Sequence, residues 1–296
     1  MPEVTAEKVL PPLDAKAEFD VVQIDKQTYR GVKPLRKPSK EVRGVFGGNI
    51  VAQSILVAMR SAPGYTPNSA HTYFLKAVNE ETPLTWKVEE LSTGKSFATR
   101  ELFAYQDDLV VFSGIVSLTT KNSASKTGHK DSSKIEYNVP IAKTLSAEGL
   151  KDVPAAYASL PLFVYQKMIE DQKDKDSYSF QLRWGIKGDP HFHQELKNVS
   201  QEFKYVGLSV LTDWIGVTFL IPHVGIKVPP KFETSIDHNV YYHEDDFDMD
   251  QWFLYTLRFK WISNDRALVK ADIYTEDKKH IVSIIQERLY VTSSKL

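Results

Sequence analysis

Several short segments of the chain carry residue types that could do chemistry, but each has to match a complete motif. Gly94-Lys95-Ser96 has the ending of a P-loop, in which glycines and a lysine cradle nucleotide phosphates. The first glycine of that motif would fall at Glu89, and the flanking pattern is typical of two strands joined by a turn. We therefore interpret this tripeptide as a hairpin turn.

Nucleophilic catalysis finds little support in the sequence. Gly207-Leu208-Ser209-Val210-Leu211 resembles a nucleophile elbow but lacks the second glycine that permits the strained turn around the serine. The chain contains no cysteine, which excludes cysteine nucleophiles, disulfides and cysteine-ligated zinc. The chemistry has to use other groups.

Two candidate metal-binding segments are also incomplete. The alternating acidic residues of a calcium loop are present at Asp246, Asp248 and Asp250. However, Gln251 replaces the required glycine, and Leu257 stands where the closing glutamate belongs. His191-Phe192-His193 could present two imidazoles on one strand face. Asp189 alone would not complete a metal site with them, so we interpret this segment as an exposed loop.

The composition is that of an ordinary globular protein. The 296 residues include 42% hydrophobic and 25% charged side chains, enough for a sizeable core. Lys and Arg number 37 and Asp and Glu 38, so the net charge of −1 gives no field that would attract nucleic acid or an anionic membrane. No apolar run of about 18 residues occurs. We therefore expect neither nucleic acid nor a membrane as a partner.

The last three residues match a peroxisomal targeting signal. Ser294-Lys295-Leu296 is the tripeptide that a peroxisomal import receptor reads at a C-terminus. Such a signal is recognised by a receptor and does not anchor the chain in a membrane. We therefore expect binding to the import receptor and a location in the peroxisomal matrix.

The elements that would position a site form two regions. In the first, Val51, Ile55, Ala58 and Met59 have helical spacing after Gly47-Gly48, and the pattern stops near Pro63-Gly64. Strand-like segments separated by turn residues follow. They lie near Ser69–Val78, Leu84–Leu91, Ser96–Tyr105 and Leu109–Thr119.

The second region repeats this order. A helix is predicted around Gly207–Leu220, broken by Pro222, although its Val, Ile and Thr content suits a buried strand as well. Four strands are predicted after it, near Phe232–Tyr242, Phe253–Trp261, Leu268–Tyr274 and Ile281–Val291. The strand from Phe253 alternates apolar and polar residues, which is typical of a half-buried antiparallel strand.

Between the two regions, a stretch rich in Ser, Lys, Ala and Asp from Thr120 to Ser159 reads as a linker with room for one short helix. The predicted organisation is thus a unit of residues 1–120, a linker of 121–160 and a unit of 161–296. Each unit needs its short sheet to cover one apolar face, so we expect each sheet to curl around its helix. The fold class is α+β.

Six sequence blocks together resemble the type II acyl-CoA thioesterases. In the first region they are VFGGNIVAQ (45–53), HTYFL (71–75) and GKSFATR (94–100). In the second region they are LTDW (211–214), SIDH (235–238) and SIIQE (283–287). The resemblance covers most of the chain outside the linker and the first residues. It implies a double-hotdog fold, in which each of two units wraps an antiparallel sheet around a long helix.

The resemblance also implies a catalytic group of an aspartate, a serine or threonine, and a glutamine. The matching positions are Asp213, Ser235 and Gln286. Hydrolysis of a thioester needs an activated water and a stabilised oxyanion, which a carboxylate with nearby hydroxyl and amide groups can provide. Such a reaction needs no metal, redox cofactor or covalent enzyme intermediate. Fatty acyl-CoA hydrolysis in peroxisomal fatty-acid metabolism is the function that this implies.

Strand periodicity is consistent with a buried role for the glutamine. Gln286 alternates with Ile284 and Tyr290 on one strand face, and a buried amide needs partners such as Asp213 or Ser235. Neighbouring strand residues point to opposite faces, so Asp237 and His238 are not expected to act as an acid–base pair. We assign His238 to the structure.

The chain departs from the family pattern at two places. Tyr241-Tyr242-His243 stands where Trp-Phe-His is usual, and Arg288 stands where a small glycine is common. In a regular strand Arg288 would share the face of Gln286 and would narrow or charge the site. Substrate range therefore stays open.

Two alternatives also stay open. A catalytically silent acyl-CoA-binding protein would share the pocket but tolerate the loss of Asp213. A hotdog enoyl-CoA hydratase would need an aspartate and a histidine converging on the substrate, and no such spaced motif is evident. Exposed strand edges in this fold commonly pair with another subunit, so the resemblance also implies a homo-oligomer.

Overall fold

The backbone is organised around one long antiparallel sheet and two central helices. The computed structural model describes residues 8–38, 40–122, 137–145, 164–169, 172–187, 192–215 and 217–292. The helices are α1 Ala15–Phe19, α2 Gly47–Ser61, α3 Gln201–Thr212 and α4 Val217–His223, with a 3₁₀ turn at Lys143–Leu145. The resulting class is α+β, as the sequence predicted.

The strands fall into the same two regions. Those before the linker are β1 Lys8–Val9, β2 Leu13–Asp14, β3 Val21–Gln23, β4 Thr28–Gly31, β5 Thr66–Phe74, β6 Thr85–Thr93, β7 Phe97–Gln106 and β8 Leu109–Thr119. Those after it are β9 Val164–Met168, β10 Tyr178–Trp184, β11 Phe192–His193, β12 Leu196–Lys197, β13 Phe232–Ser235, β14 Asp237–Tyr242, β15 Phe253–Ser263, β16 Arg266–Tyr274 and β17 His280–Val291.

The two regions share a single sheet. Among the described residues the strand order is β3-β4-β6-β7-β8-β5-β14-β17-β16-β15-β10-β9, with β13 pairing β17 beside β14. The junction is the antiparallel pair β5·β14, where His71 lies opposite Asn239. Hydrogen bonding therefore continues from one repeat into the next without an edge between them.

The helices α2 and α3 pack against each other in opposite directions. The start of α2 at Gly47 lies beside Asp213 at the end of α3, while Arg60 near the end of α2 binds Glu202 near the start of α3, at 3.0 Å. Every residue of α2 from Gly48 to Met59 is buried. A helix enclosed on all sides in this way forms the centre of the core.

The segment before α2 ties the two regions together. Its first strands pair in parallel with β11 and β12 from the second region. Asp14 caps α1 by accepting a hydrogen bond from the Ala17 amide and also accepts one from Asn198. Arg60 of α2 adds an ion pair with Asp20 at 2.7 Å. Residues that precede the first unit's helix thus pack on the second unit.

The first predicted helix is confirmed by α2, and the second prediction was wrong in its bounds. Instead of one helix around 207–220, α3 ends at Thr212 and α4 begins at Val217, with Pro222 inside α4. Asp213 leaves the helical path as the C-cap, and the Ile215 amide bonds back to its carbonyl. The apolar run continues because both helices are buried, so the sequence pattern did not show the break.

Several strand predictions also need correction. The strand predicted over 232–242 is two strands interrupted at Ile236. The strand from Phe253 is half-buried only toward its end, because Leu254 of its outer face is covered by Leu145, Ile169 and Tyr274. A bulge between Phe259 and Trp261 then shifts its register. The division at residues 120 and 161 stays a prediction, since much of the linker lies outside the described residues.

Candidate active site

Asp213 is a buried carboxylate at the end of α3. It is the helix C-cap, with φ −90° and ψ 6°, and its residue is only 5% exposed. The change of backbone direction at the cap turns the side chain toward the start of α2 rather than along the helix surface. A buried carboxylate has to be compensated by hydrogen bonds, and its partner comes from the last strand.

That partner is Gln286 of β17, which is fully buried. Its Nε2 donates to Asp213 Oδ1 at 2.5 Å. A second contact of the same nitrogen, at 3.0 Å, is with Nδ1 of His238. The structure therefore brings Asp213 and Gln286 together from elements 73 residues apart, as the predicted fold required.

Ser235 joins this group indirectly. It is the last residue of β13 and half-buried, and its Oγ accepts a hydrogen bond from Arg288 Nη1 at 3.2 Å. The same nitrogen donates to Gln286 Oε1 at 2.8 Å. Arg288 thus connects the hydroxyl to the amide, and it lies on the face of β17 that the sequence predicted.

His238 belongs to the same hydrogen-bonded group, which the sequence analysis missed. It is fully buried, and its Nε2 contacts Thr212 Oγ1 at 2.8 Å. Burial lowers the pKa of the imidazole, an effect that the charges of Asp213 and Asp237 oppose and that of Arg288 reinforces. Its alternation with Val240 and Tyr242, both buried, was the available indication that it faces the core.

The neighbouring Asp237 turns away, as expected for adjacent strand residues. Its Oδ1 accepts a hydrogen bond from the Glu287 amide at 2.6 Å. His238 and Asp213 come within 3.9 Å, so an aspartate and a histidine do converge, contrary to the expectation from spacing. Both imidazole nitrogens are engaged, however, with Gln286 and Thr212. The ring therefore has no nitrogen free to address a substrate double bond.

The start of α2 faces the carboxylate at very close range. A Cβ added at Gly47 would lie 2.6 Å from Asp213 Oδ2 and 2.9 Å from the Phe74 ring. Phe46 at the N-cap provides no side-chain cap, and the Asn49 amide already donates to the Phe46 carbonyl at 3.0 Å, so the amides of Gly47 and Gly48 are those without an acceptor within the helix. Unpaired N–H groups at the positive end of a helix dipole suit a developing oxyanion.

Aromatic side chains stand around this end of the helix pair. Phe46 and Trp214 meet edge to face with ring centroids 5.7 Å apart, and Phe74 makes a similar contact with Phe112 at 5.6 Å. Phe46, Phe74 and Trp214 are only partly buried. The carboxylate therefore lies among accessible apolar surfaces, and a hydrophobic group could pack there.

The other chemical motifs have structural roles. Gly94 lies in the turn between β6 and β7, as predicted. Ser209 is fully buried, and its hydroxyl bonds to the Tyr205 carbonyl and to the Tyr242 hydroxyl. Asp250 pairs with Arg183 and Lys187, while His191 lies outside the described residues.

The described residues hold neither a cluster suited to a metal ion nor a membrane-spanning helix. No group of three or more His, Cys, Asp or Glu side chains there could hold a metal ion. None of the helices in that part of the chain is long and apolar enough to cross a membrane.

Family models match both regions of the chain. The model described as the acyl-CoA thioesterase N-terminal domain matches residues 35–119, and that of the acyl-CoA thioesterase C-terminal domain matches residues 191–290. The two matched ranges include Gly47, Asp213, Ser235 and Gln286. The residues of the hydrogen-bonded group thus lie within the matched regions.

Individual proteins similar to this chain carry thioesterase names. The chain is 23% identical to human acyl-coenzyme A thioesterase 8, over 89% of this chain and 84% of that protein. A peroxisomal acyl-coenzyme A thioester hydrolase 1 from Saccharomyces cerevisiae is 33% identical over 27% of this chain and 24% of its own length. The crystal structure of an acyl-CoA thioesterase II, TesB2, from Mycobacterium marinum aligns with a TM-score of 0.69 and 20% identity, covering 95% and 98% of the two chains. This likeness to a solved structure shows the fold.

Proposed function

The chain belongs to the acyl-CoA thioesterase family, and from this premise we propose that it hydrolyses fatty acyl-CoA thioesters to a free fatty acid and CoA. The observation that carries the proposal is the buried contact of 2.5 Å between Asp213 and Gln286, beside the start of α2. It combines a carboxylate base with a helix N-terminus within one small volume. Hydrolysis by an activated water needs these two components.

Asp213 acts as the general base. Its Oδ1 is occupied by the Gln286 amide, which leaves Oδ2 to take a proton from water as the oxygen attacks the thioester carbonyl. The tetrahedral intermediate then collapses with cleavage of the carbon–sulfur bond, and protonated Asp213 returns the proton to the CoA thiolate. Gln286 orients the carboxylate, and Ser235 offers a hydroxyl to the water or the thioester oxygen.

The substrate carbonyl oxygen points to the start of α2. The N–H groups of Gly47 and Gly48 stabilise the negative charge that develops there, and the missing Cβ at Gly47 lets the Asp213 carboxylate lie beside them. Phe46, Phe74 and Trp214 pack against the first part of the acyl chain. These partly buried aromatic surfaces support a fatty acyl group rather than a small polar one.

The experiment that tests this function is CoA thiol release from a panel of acyl-CoAs, with Asp213→Asn compared with the native chain. The asparagine keeps the shape but removes the base, so we expect kcat to fall at least about a hundredfold. Asp265→Asn, in the exposed turn between β15 and β16, is the matched control and should keep full activity.

Equal rates for the native chain and Asp213→Asn would remove Asp213 from the mechanism. Binding of acyl-CoA without hydrolysis by the native chain would favour a silent acyl-CoA-binding protein. Neither outcome is expected, because the Gln286 amide holds the buried Asp213 carboxylate beside the start of α2, where a general base is needed.

Peroxisomal fatty-acid metabolism is the setting that we propose for this reaction. The support is the tripeptide Ser294-Lys295-Leu296, which lies outside the described residues, together with the partial similarity to a yeast protein named as peroxisomal. Fluorescence of a chain tagged at its N-terminus should overlap a peroxisomal marker. Deletion of the three residues should disperse it, and unchanged overlap would contradict an address at this end.

We also propose that the protein is a homo-oligomer. The outer face of the sheet presents bulky side chains around the β5·β14 junction, including Tyr73 at 54% exposure and Ile115 at 43%. Tyr241 of β14 and Ile285 of the next strand, β17, extend the same surface. Light scattering during size exclusion measures the mass, and a particle of 33.7 kDa, the mass of one chain, would contradict the proposal.

A further inference from the structure

Arg288 lies beside the catalytic group, two residues after Gln286 on β17. It is largely buried, with 12% of its side chain exposed. Its Nη1 donates to both Gln286 Oε1 and Ser235 Oγ, at 2.8 and 3.2 Å. Its Nη2 forms an ion pair of 2.7 Å with Glu233. A side chain that contacts two of the three catalytic residues does more than fill space.

The guanidinium determines which way the Gln286 amide points. Arginine has only donors, so the atom of Gln286 that faces it has to be the amide oxygen. The amide nitrogen is consequently directed at Asp213 and His238, where it makes its contacts of 2.5 and 3.0 Å. An amide has two N–H groups, and both are used in this arrangement.

The orientation of the Gln286 amide also determines which nitrogen of His238 carries the proton. Because His238 Nδ1 accepts from Gln286, the proton of the neutral ring has to be on Nε2. That proton is donated to Thr212 Oγ1, whose own hydroxyl donates to the Ser209 carbonyl at 2.7 Å. A series of hydrogen bonds therefore runs from Arg288 to a backbone carbonyl of α3, and the donor and the acceptor of each bond are fixed.

Without Arg288, Asp213 would keep these hydrogen bonds in the same direction only while it is ionised. A carboxylate accepts hydrogen bonds and keeps the amide nitrogen facing it, but a carboxylic acid can also donate. Once Asp213 has taken the proton from water, it could donate to a rotated Gln286 oxygen, and His238 could donate through Nδ1 in its other tautomer. Arg288 cannot accept, so it opposes this rearrangement at the moment when Asp213 has to be ready to return the proton.

We propose that Arg288 is a positioning residue, which holds the Gln286 amide in one orientation throughout the catalytic cycle. It also fixes Ser235, because the Ser235 oxygen accepts from Arg288 and the hydroxyl proton is left for the reacting water or carbonyl. The ion pair with Glu233 keeps the guanidinium in place. This inference rests on the proposed thioesterase function and adds a residue to it.

The test uses Arg288→Ala in a Glu233→Gln background, so that no carboxylate is left unpaired, with Glu233→Gln alone as the reference. We expect kcat to fall about tenfold to a hundredfold and KM to change less than about twofold. Added guanidinium at low millimolar concentration should restore kcat, because it can occupy the vacated space and donate to the same oxygens. Urea, which has the same shape but no charge, should restore much less.

Arg266→Met is the matched control. It removes an arginine of β16 that pairs with Glu287 of β17, at 3.0 Å, without a contact to Gln286, and we expect kcat to be unchanged. A kcat for the alanine variant equal to its reference, with Asp213→Asn inactive, would overturn the role of Arg288 while the proposed function stands. Full activity of Asp213→Asn would instead refute the proposed function.

A second measurement needs no variant and does not depend on folding of the mutants. The ¹⁵N chemical shifts of the histidines in the native protein report the tautomer of each ring. We expect His238 to be neutral with its proton on Nε2. A proton on Nδ1 would show that the Gln286 oxygen faces His238, and it would overturn the proposal.

Discussion

A single residue, His238, shows how burial and hydrogen bonding decide the behaviour of the site. The imidazole is enclosed between the end of α3 and β17, and both of its nitrogens are engaged. In the unfolded chain it would titrate near its ordinary pKa of 6.5. In the folded chain burial lowers that pKa, so the ring stays neutral at a pH where the unfolded chain would already be protonated.

This difference predicts a pH dependence of stability. Below pH 6.5 the unfolded state binds a proton that the folded state excludes, so the free energy of unfolding should decrease as the pH falls. The contribution of one such group is at most about 1.4 kcal/mol per pH unit. Urea unfolding at a series of pH values should show this slope, and it should become shallower in His238→Gln.

His71→Gln serves as the control for that measurement, because His71 is an exposed histidine on the strand next to His238. It leaves the surroundings of His238 unchanged, so the contribution of His238 to the slope should remain. If His238→Gln left the slope unchanged as well, the titration of His238 would not contribute to acid sensitivity.

At the scale of elements, the contact between α2 and α3 is the feature on which the site depends. A Cβ added at Gly48 would lie 2.5 Å from the Val210 carbonyl oxygen and 2.5 Å from the Phe46 ring. A Cβ cannot be accommodated that close to a backbone oxygen unless one helix moves. The two helices therefore approach as closely as glycine allows, and Asp213 reaches the start of α2 as a result.

Gly48→Ala should separate the helices and lower both stability and activity. Overpacking of this kind costs about 1–3 kcal/mol, and displacement of Asp213 should reduce kcat at the same time. Thermal unfolding and CoA release measure the two effects. Gly44→Ala is the comparison, because its Cβ would meet only side-chain and backbone atoms of Ala77 and Val78 at 3.2 Å or more. Normal values for Gly48→Ala would mean that α2 can shift freely.

The elements also show what sequence patterns could and could not predict. The helix at 47–61 and the four strands after it were recognisable, because apolar spacing and turn residues mark them directly. The short strands β1 to β4, as well as β9 and β10, were not predicted. They are short or near the edges, and their pairing depends on distant partners such as β6 and β15 rather than on local pattern.

The candidate site was predictable to a similar extent. Asp213, Ser235 and Gln286 came from resemblance, and the strand period indicated that Gln286 faces inward. The place of His238 in the group, and the fact that Arg288 rather than Gln286 contacts Ser235, follow from side-chain reach across β13, β14 and β17. No spacing along one strand contains that information.

At the scale of the whole molecule, the β5·β14 junction joins the two repeats into one sheet. Thr72 is fully buried in it and donates a hydrogen bond of 2.7 Å to the His238 carbonyl. A seam of backbone hydrogen bonds flanked by a shared core cannot open without exposing both repeats. We expect a single cooperative unfolding transition.

Thr72→Val tests this, because it removes the hydroxyl but keeps the volume. It leaves the His238 carbonyl without that donor, which should cost about 1 kcal/mol. Circular dichroism and tryptophan fluorescence should report coincident transitions at the same, lower midpoint. Of the five tryptophans, Trp86 belongs to the first repeat and the others belong to the second, namely Trp184, Trp214, Trp252 and Trp261. Two separate midpoints would show that the repeats unfold independently.

The helix ends differ between the repeats in one further respect. Asp213 caps the end of α3, whereas the corresponding end of α2 is capped by Ala62. The second region therefore supplies the carboxylate, and the first supplies the helix start that faces it. Either half expressed alone would hold only one of these two groups, so we expect neither half to hydrolyse acyl-CoA by itself.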